Sequence, residues 1–223
     1  MKTSRSLLIY VFAALLLSPL SGLGQQKQSL VIQQKFAPPV LSIGVGGSYV
    51  GQKLSDLNTV YGDLEKSLSL PSGKDFTNPY DILLWLRLAP STTQAFQAEY
   101  GGSVLKSSAA KSTNFLQTYY GGGSYILSLP LSTASIYVGG GAGYLWLNSQ
   151  RTYSTRVGVA QENAQLAQLH ALFGLQFFNQ TGVSLSLEGR YNYASTVRPT
   201  RSDLNFTMKG IAGGIQLGIP IIM

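Results

Sequence analysis

The residues best suited to chemistry fall at alternating positions of strand-like segments. Glu188 and Arg190 are two residues apart within one segment. Arg87 and Glu99 lie on two segments that a short turn separates, and His170 is the only histidine of the chain. Because side chains of a β-strand alternate between its two faces, residues two apart share a face. We therefore predict one cluster of ion pairs on a common sheet face, formed by Arg87, Glu99, His170, Glu188 and Arg190.

Such a cluster has three possible uses: a structural core of ion pairs, a narrow gated path for ions, or catalysis. Catalysis would need a nucleophile beside a base and a substrate that can reach both. The spacing of these residues provides neither, so we predict no catalytic residue and no enzyme. Since no His, Cys, Asp and Glu spacing matches a metal site, we also predict no metal and no cofactor.

The elements that would position the cluster show a period of two. In the segment 183–193, Val, Leu, Leu, Gly, Tyr and Tyr alternate with Ser, Ser, Glu, Arg and Asn. Eight such segments are predicted, mostly longer than the usual soluble strand of about 5–6 residues and close to the ~9–11 residues that cross a membrane. The predicted strands are 40–50, 78–88, 94–105, 114–128, 134–148, 164–178, 183–193 and 205–219.

The predicted links alternate between short and long. Short turns are predicted at 89–93, 130–133 and 179–182, and long loops at 51–77, 106–113, 149–163 and 194–204. This alternation puts all the turns on one rim of a barrel and all the loops on the other, which is typical of outer-membrane barrels. The apolar sides of the strands would then face lipid. An exported soluble barrel is the alternative, and it would require the opposite arrangement, with the apolar sides inside.

Composition and the N-terminus agree with export. Charged residues make up 11% of the chain, against roughly 25% in soluble domains. Lys2, Arg5 and an apolar run before residue 24 predict a cleaved signal peptide at 1–24. A tail would follow at 25–39 and the barrel domain at 40–223. Export makes nucleic acid an improbable partner for the net charge of +7, and anionic lipid headgroups a better one.

On these features the chain resembles the small eight-stranded outer-membrane barrels of the OmpA/OmpX-like class. The resemblance implies an all-β, eight-stranded, antiparallel, up-and-down transmembrane barrel in a Gram-negative-type outer membrane. It also implies a monomer that is inserted by the outer-membrane assembly machinery. Proteins of this class usually end in an aromatic residue, whereas this chain ends in Met223 and has Pro220 in its last strand. Some such barrels hydrolyse lipids with a His and a Ser two residues apart, but here Leu172 follows His170 at that spacing.

The first long loop contains a helical pattern. Apolar residues recur at helical spacing after Ser55, which could cap the helix. This short helix would either close the mouth of the barrel, which we favour, or lie on the lipid interface. Its apolar stripe consists of Leu57, Val60, Tyr61, Leu64 and Leu68.

The other predicted loops are basic. They contain Lys106, Lys111, Arg151, Arg156, Arg198 and Arg201, against only Glu162 and Asp203. Arginine binds phosphate through a planar fork of donors, so this external rim could contact lipopolysaccharide phosphates or could simply be solvated. We predict a non-enzymatic outer-membrane scaffold or surface-contact protein. The alternative is a narrow channel, or a conduit for a small hydrophobic ligand, gated by the loop helix.

Overall fold

The computed structural model describes residues 39–52, 54–77, 79–108, 112–131, 134–153, 158–178, 183–199 and 207–221. The elements are β1 Val40–Gln52, α1 Ser55–Ser67, β2 Tyr80–Ala89, β3 Gln94–Ser108, β4 Ser112–Pro130, β5 Ala134–Tyr153, β6 Gly158–Phe178, β7 Ser184–Pro199 and β8 Thr207–Ile221. The strands form one closed antiparallel barrel in chain order. The predicted fold class is therefore confirmed. The predicted signal peptide, and the tail up to residue 38, lie outside the described residues.

The barrel closes through a regular pairing of its first and last strands. β1 pairs with β8 from Leu41 opposite Ile221 to Gln52 opposite Gly210. Every other strand pairs with its chain neighbours. Closure removes the unpaired strand edges that would otherwise be costly in an apolar surrounding.

Side chains alternate strictly between the lumen and the outside. On β6, His170 and Leu172 are buried, whereas Leu169 and Phe173 are 60% and 67% exposed. The apolar sides of the predicted strands follow this pattern. On β5 both faces contain apolar residues, and Leu145 and Leu147 face the lumen. The outside is thus almost wholly apolar, with exposed Ile43, Val45, Leu84, Leu86, Phe96, Tyr125, Val138, Tyr144, Trp146, Leu175, Tyr191, Ile215 and Leu217 among its members.

This apolar belt has the height of a membrane. On β5 its outward residues run from Ile136 to Trp146. About ten residue steps of about 3.3 Å, tilted by about 40°, span roughly 25 Å. That is close to the height of the lipid-facing band of outer-membrane barrels. Aromatic rings meet near both edges of the belt, with Tyr144 and Trp146 at 6.3 Å and Phe96 and Tyr125 at 5.2 Å between centroids.

Two of the predicted long loops are wrong. The residues between β3 and β4 are only 109–111, and those between β5 and β6 are only 154–157, because the strands continue past the belt. Above Trp146 the outward positions of β5 become Asn148, Gln150 and Thr152. Pairing continues although the side chains turn polar, since ladder hydrogen bonds do not depend on side-chain polarity. The alternation of apolar and polar residues ends above Trp146, and for that reason the sequence predicts a loop where the strand continues.

These extensions form what we call the raised wall, the parts of β4, β5 and β6 above the belt. Among the described residues, the outward face of the raised wall is uncharged and, apart from Phe115, mainly polar, with Asn148 opposite Asn163 and Gln150 opposite Gln161. From Trp146 to Tyr153 it rises by roughly 15–20 Å by the same reckoning. The inner face of the raised wall is where the first loop packs.

Glycines let large rings lie flat against the inner wall. A Cβ on Gly143 would lie 2.8 Å from the ring of Tyr120, and one on Gly44 would lie 2.2 Å from the ring of Trp85. Both distances are far below van der Waals contact. The glycine runs on β4 and β5 are therefore close-packing positions within strands.

Candidate functional site

The lumen holds a layer of charged side chains at the level of the belt. Arg190 on β7 donates to Glu99 on β3 across the barrel, with Nη1 at 2.5 Å from Oε2, and to Glu188 on its own strand, with Nη2 at 2.9 Å from Oε1. All three residues are buried. Buried charges are tolerated only when they are paired, and here one guanidinium bridges two carboxylates. We call Glu99, Glu188 and Arg190 the ionic layer.

Arg87 belongs to the same region but does not pair with Glu99. The register places Gln97 opposite Arg87, so Glu99 lies one diagonal away. The Arg87 guanidinium donates to Gln97 Oε1 at 2.7 Å and to Gln176 Oε1 at 3.2 Å. Its carbon lies 4.8 Å from the centroid of the Trp85 ring. Arg87 is thus held by two side-chain amides and an aromatic ring. Gln176 is 89 residues away in sequence, so the alternation of residues within a strand does not predict this contact.

His170 contacts a serine that the sequence analysis missed. Its Nε2 lies 2.7 Å from Ser124 Oγ, which lies 2.6 Å from Glu99 Oε1. A carboxylate only accepts, so the Ser124 hydroxyl donates to Glu99 and must accept from His170. This direction is opposite to the one in which a histidine activates a serine nucleophile. Ser124 lies on β4, opposite Gln97 of β3 and 46 residues from His170, so only the register could have found it.

Above the ionic layer the lumen is apolar and is filled by the first loop. Leu57 and Tyr61 of α1 are buried to 1% and 0% exposure. They pack in one cluster with inward residues of the barrel, namely Leu116, Tyr120, Leu145, Leu147, Ala164, Leu166, Ala194 and Met208. Phe76, in the chain leading to β2, packs on Tyr61 with ring centroids 5.0 Å apart. The structure thus places the helix in the mouth of the barrel.

A second buried ion pair joins the helix to the raised wall. Arg151 on β5 donates from Nη1 to Glu65 Oε1 at 2.6 Å, and the side chains are 2% and 6% exposed. Arg151 also donates to Asn114 Oδ1 at 2.8 Å and to the Lys74 carbonyl at 2.6 Å. Glu65 further accepts from the Tyr153 hydroxyl at 3.0 Å. The predicted place of Arg151 on the external basic rim is wrong, because its strand continues and turns this residue inward.

The buried face of the helix differs from the predicted stripe. Leu57, Tyr61 and Glu65 face the lumen, whereas Leu68 is 54% exposed and Val60 and Leu64 are half-buried. Glu65 can occupy a buried position of this face because its carboxylate pairs with Arg151. Ser55 is the first helical residue and not the cap, since Leu54 occupies the cap position without a side-chain hydrogen bond.

Tyr61 records how completely the helix is buried. Its hydroxyl donates to Ser149 Oγ at 3.0 Å. Burial, which disfavours the phenolate, raises the pKa of Tyr61 from 10.0 to about 12. This residue lies in the loop, outside the membrane-spanning segments.

A cavity of about 70 Å³ remains between the helix and the ionic layer. The apolar cluster and the loop ends, through Leu54 and Pro79, bound it above, and Glu188 and Arg190 bound it below. Its side wall contains Gly46, Gly101 and Gly214. Residues of all eight strands line it.

The predicted basic rim is described only in part. Lys106 is exposed near the external end of β3. Lys111, Arg156 and Arg201 lie outside the described residues, and only the backbone of Arg198 is described, near the end of β7. Arg151 no longer belongs to the set.

Two further searches concern the described ranges alone. No group of three or more His, Cys, Asp or Glu side chains in them could hold a metal ion. None of their helices has the length and apolarity to cross a membrane.

Comparisons with known proteins find likeness in structure alone. No protein-family description matches the sequence, and no curated protein matches it. The chain is similar to Neisserial surface protein A (12% identity, TM-score 0.48, covering 82% of this chain and 96% of that one). It is also similar to the attachment invasion locus protein Ail of Yersinia pestis, solved with the heparin analogue sucrose octasulfate (13%, 0.48, 81% and 97%). A third similar structure is the outer membrane enzyme PagL (12%, 0.38, 80% and 99%). The fold itself follows from the strand pairing of this chain, which is a closed antiparallel barrel of eight strands in chain order.

Proposed function

We propose that this chain is an integral outer-membrane barrel, exported through a cleaved signal peptide, that acts without catalysis as a scaffold or contact protein at the cell surface. The observation that carries this proposal is the inversion of polarity between outside and inside. Apolar residues cover a belt of roughly 25 Å on the outside, while the inside contains the ion pairs of Arg151 and Arg190 and the hydrogen bond from Arg87 to Gln97. An aqueous pore would need a wider, open lumen.

The absence of catalysis is supported by the direction of the hydrogen bonds at His170. The Ser124 hydroxyl is committed to Glu99, which is itself held by Arg190. Neither Ser124 nor His170 lines the cavity below the helix. A substrate in this cavity would therefore contact neither of them.

The proposed surface contact is with lipopolysaccharide phosphates through the remaining basic residues of the external rim, Lys106, Lys111, Arg156, Arg198 and Arg201. Lys106 is exposed above the belt, where headgroups would lie. The test compares K106Q/K111Q with K27Q/K35Q, which removes the same charge from the N-terminal tail. Binding of the folded, micelle-embedded barrel to lipopolysaccharide should fall by about tenfold or more for the rim pair alone. An equal loss for both pairs would reduce the contact to general charge attraction.

The second candidate function is a narrow conduit gated by α1, and the cavity below the helix favours it. Single-channel recording in a planar bilayer separates the two. The scaffold proposal expects no resolved current from the wild type. A current that disappears in Glu99→Gln or Glu188→Gln would support the conduit and contradict the scaffold.

A further inference from the structure

The cavity below the helix contains polar atoms that the protein itself does not satisfy. Asp81 Oδ1 and Gln216 Oε1 are buried and have no hydrogen-bond partner among the described residues. Both side chains line this one cavity. Gln216 is only 5% exposed. A buried acceptor without a hydrogen bond costs about 1–3 kcal/mol. Two such acceptors in one small cavity therefore indicate that the cavity contains a bound ion or molecule.

The fold brings these acceptors to the two sides of β1. Asp81 on β2 lies opposite Ser48, and Gln216 on β8 lies opposite Gly46. The inward residues of β1 at this level are thus a serine and a glycine, which leave the space open. A Cβ on Gly46 would lie 2.8 Å from Gln216 Cγ, so glycine is needed to let the amide lie in the cavity.

Charge also points to a positive occupant. The charged side chains described in this part of the lumen are Asp81, Glu99 and Glu188 against Arg87 and Arg190, a net charge of −1 with His170 neutral. Arg190 lines the cavity too, but its donors are directed to Glu99 and Glu188. Among the three carboxylates, Asp81 is the one outside these ion pairs, and one of its oxygens is unsatisfied.

The geometry limits the kind of cation. Both unsatisfied atoms are oxygens, which suit hard cations. A divalent ion would need more carboxylates, and the described residues contain no such group. A volume of about 70 Å³ holds a bare ion and a few waters, since one water needs about 10–15 Å³ on this scale.

We propose that the lumen contains a site for a small monovalent cation of the Na⁺ or K⁺ type, bound by Asp81 and Gln216 together with a few waters. The ends of the first loop, through Leu54 and Pro79, bound the site above, and the ionic layer bounds it below. The site does not depend on the surface contact proposed above, and it would exist in a scaffold as well as in a conduit.

The first test is cation-specific stabilisation of the folded barrel in micelles. Unfolding equilibria are compared in NaCl and in choline chloride at equal ionic strength, because choline is a quaternary ammonium whose methyl groups keep its charge away from oxygen ligands, whereas Na⁺ is coordinated by them directly. At a Na⁺ concentration ten times its dissociation constant, the folding equilibrium of the wild type should gain about tenfold. Asp81→Asn and Gln216→Leu should each gain less than twofold. Asp63→Asn, which removes an exposed carboxylate on the helix, should gain as much as the wild type.

The second test locates the ion. Crystals of the full chain soaked in RbCl should show an anomalous peak between Asp81 and Gln216, and Asp81→Asn crystals should not. Gln216→Leu provides the same comparison if Asp81→Asn does not fold. Equal stability in Na⁺ and choline together with no rubidium peak would mean that water alone satisfies these oxygens, and the proposal would be overturned. Persistence of the Na⁺ effect in both cavity variants would overturn it equally.

Discussion

Replacing Glu65 by alanine tests whether the helix is latched in the mouth of the barrel. Glu65 and Arg151 are nearly fully buried, and their ion pair is 2.6 Å long. Removing one partner of such a pair costs about 3–5 kcal/mol, because the other charge is left buried and uncompensated. When the helix leaves the mouth of the barrel, Arg151 is exposed to water again. The substitution therefore destabilises the conformation with the helix in the mouth relative to the open conformation. The unseated fraction should rise by about two to three and a half orders of magnitude, at 1.4 kcal/mol per factor of ten.

The assay uses a single cysteine placed under the helix. The chain has no cysteine, and Ser149 is 0% exposed beneath Tyr61. In Ser149→Cys, thiol labelling of the folded barrel should follow the open fraction when opening is fast relative to labelling. Adding Glu65→Ala should accelerate labelling by roughly a hundredfold or more.

A matched control is Asp63→Ala on the same helix. Asp63 pairs with Lys66 at 3.7 Å, and both side chains are mostly exposed. Exposed pairs contribute about 0–1 kcal/mol, so labelling should change by less than about fivefold. Labelling that is fast in the unmodified helix, or that Glu65→Ala leaves within threefold, would refute the latch.

Three further predictions concern the helix, the belt and the ionic layer. The tyrosinate titration of the wild type minus that of Tyr61→Phe should show a midpoint of about 12. Because burial raises the pKa of Tyr61, its contribution to folding stability is complete below pH 10 and is lost as the pH rises towards 12. A midpoint near 10 would mean that the helix is not seated in the barrel. Leu169→Arg, at mid-belt, should destabilise the barrel in lipid by about 2–4 kcal/mol. Gln161→Arg, on the raised wall of the same strand, should lower the free energy of unfolding by less than about 1 kcal/mol. Equal losses of stability would place the belt elsewhere. Arg190→Met leaves Glu99 and Glu188 buried without their cation and should cost about 3–5 kcal/mol in urea unfolding; a loss under 1 kcal/mol would show that the ionic layer is hydrated.

The strands and their inward faces could be predicted because a period of two is a local property. The apolar side of β7 and the place of His170 opposite Asn192 follow from it once the turn is short. The length of β4, β5 and β6 could not be predicted. Above the membrane edge these strands continue with polar residues, and such a sequence has the pattern that is typical of a loop. The pairing of Arg151 with Glu65 was equally out of reach. Those residues are 86 apart in sequence, and only the way the first loop folds back into the mouth brings them together.

The central claim is that the apolar faces meet lipid and that the eight strands close into a barrel. The most direct measurement is the gel mobility of the detergent-extracted outer-membrane fraction, unboiled against boiled. A closed barrel resists the detergent when cold and migrates differently once heat opens it, so we predict a heat-dependent shift with the protein in that fraction. A protein found soluble in the periplasm, with one mobility under both conditions, would contradict the account.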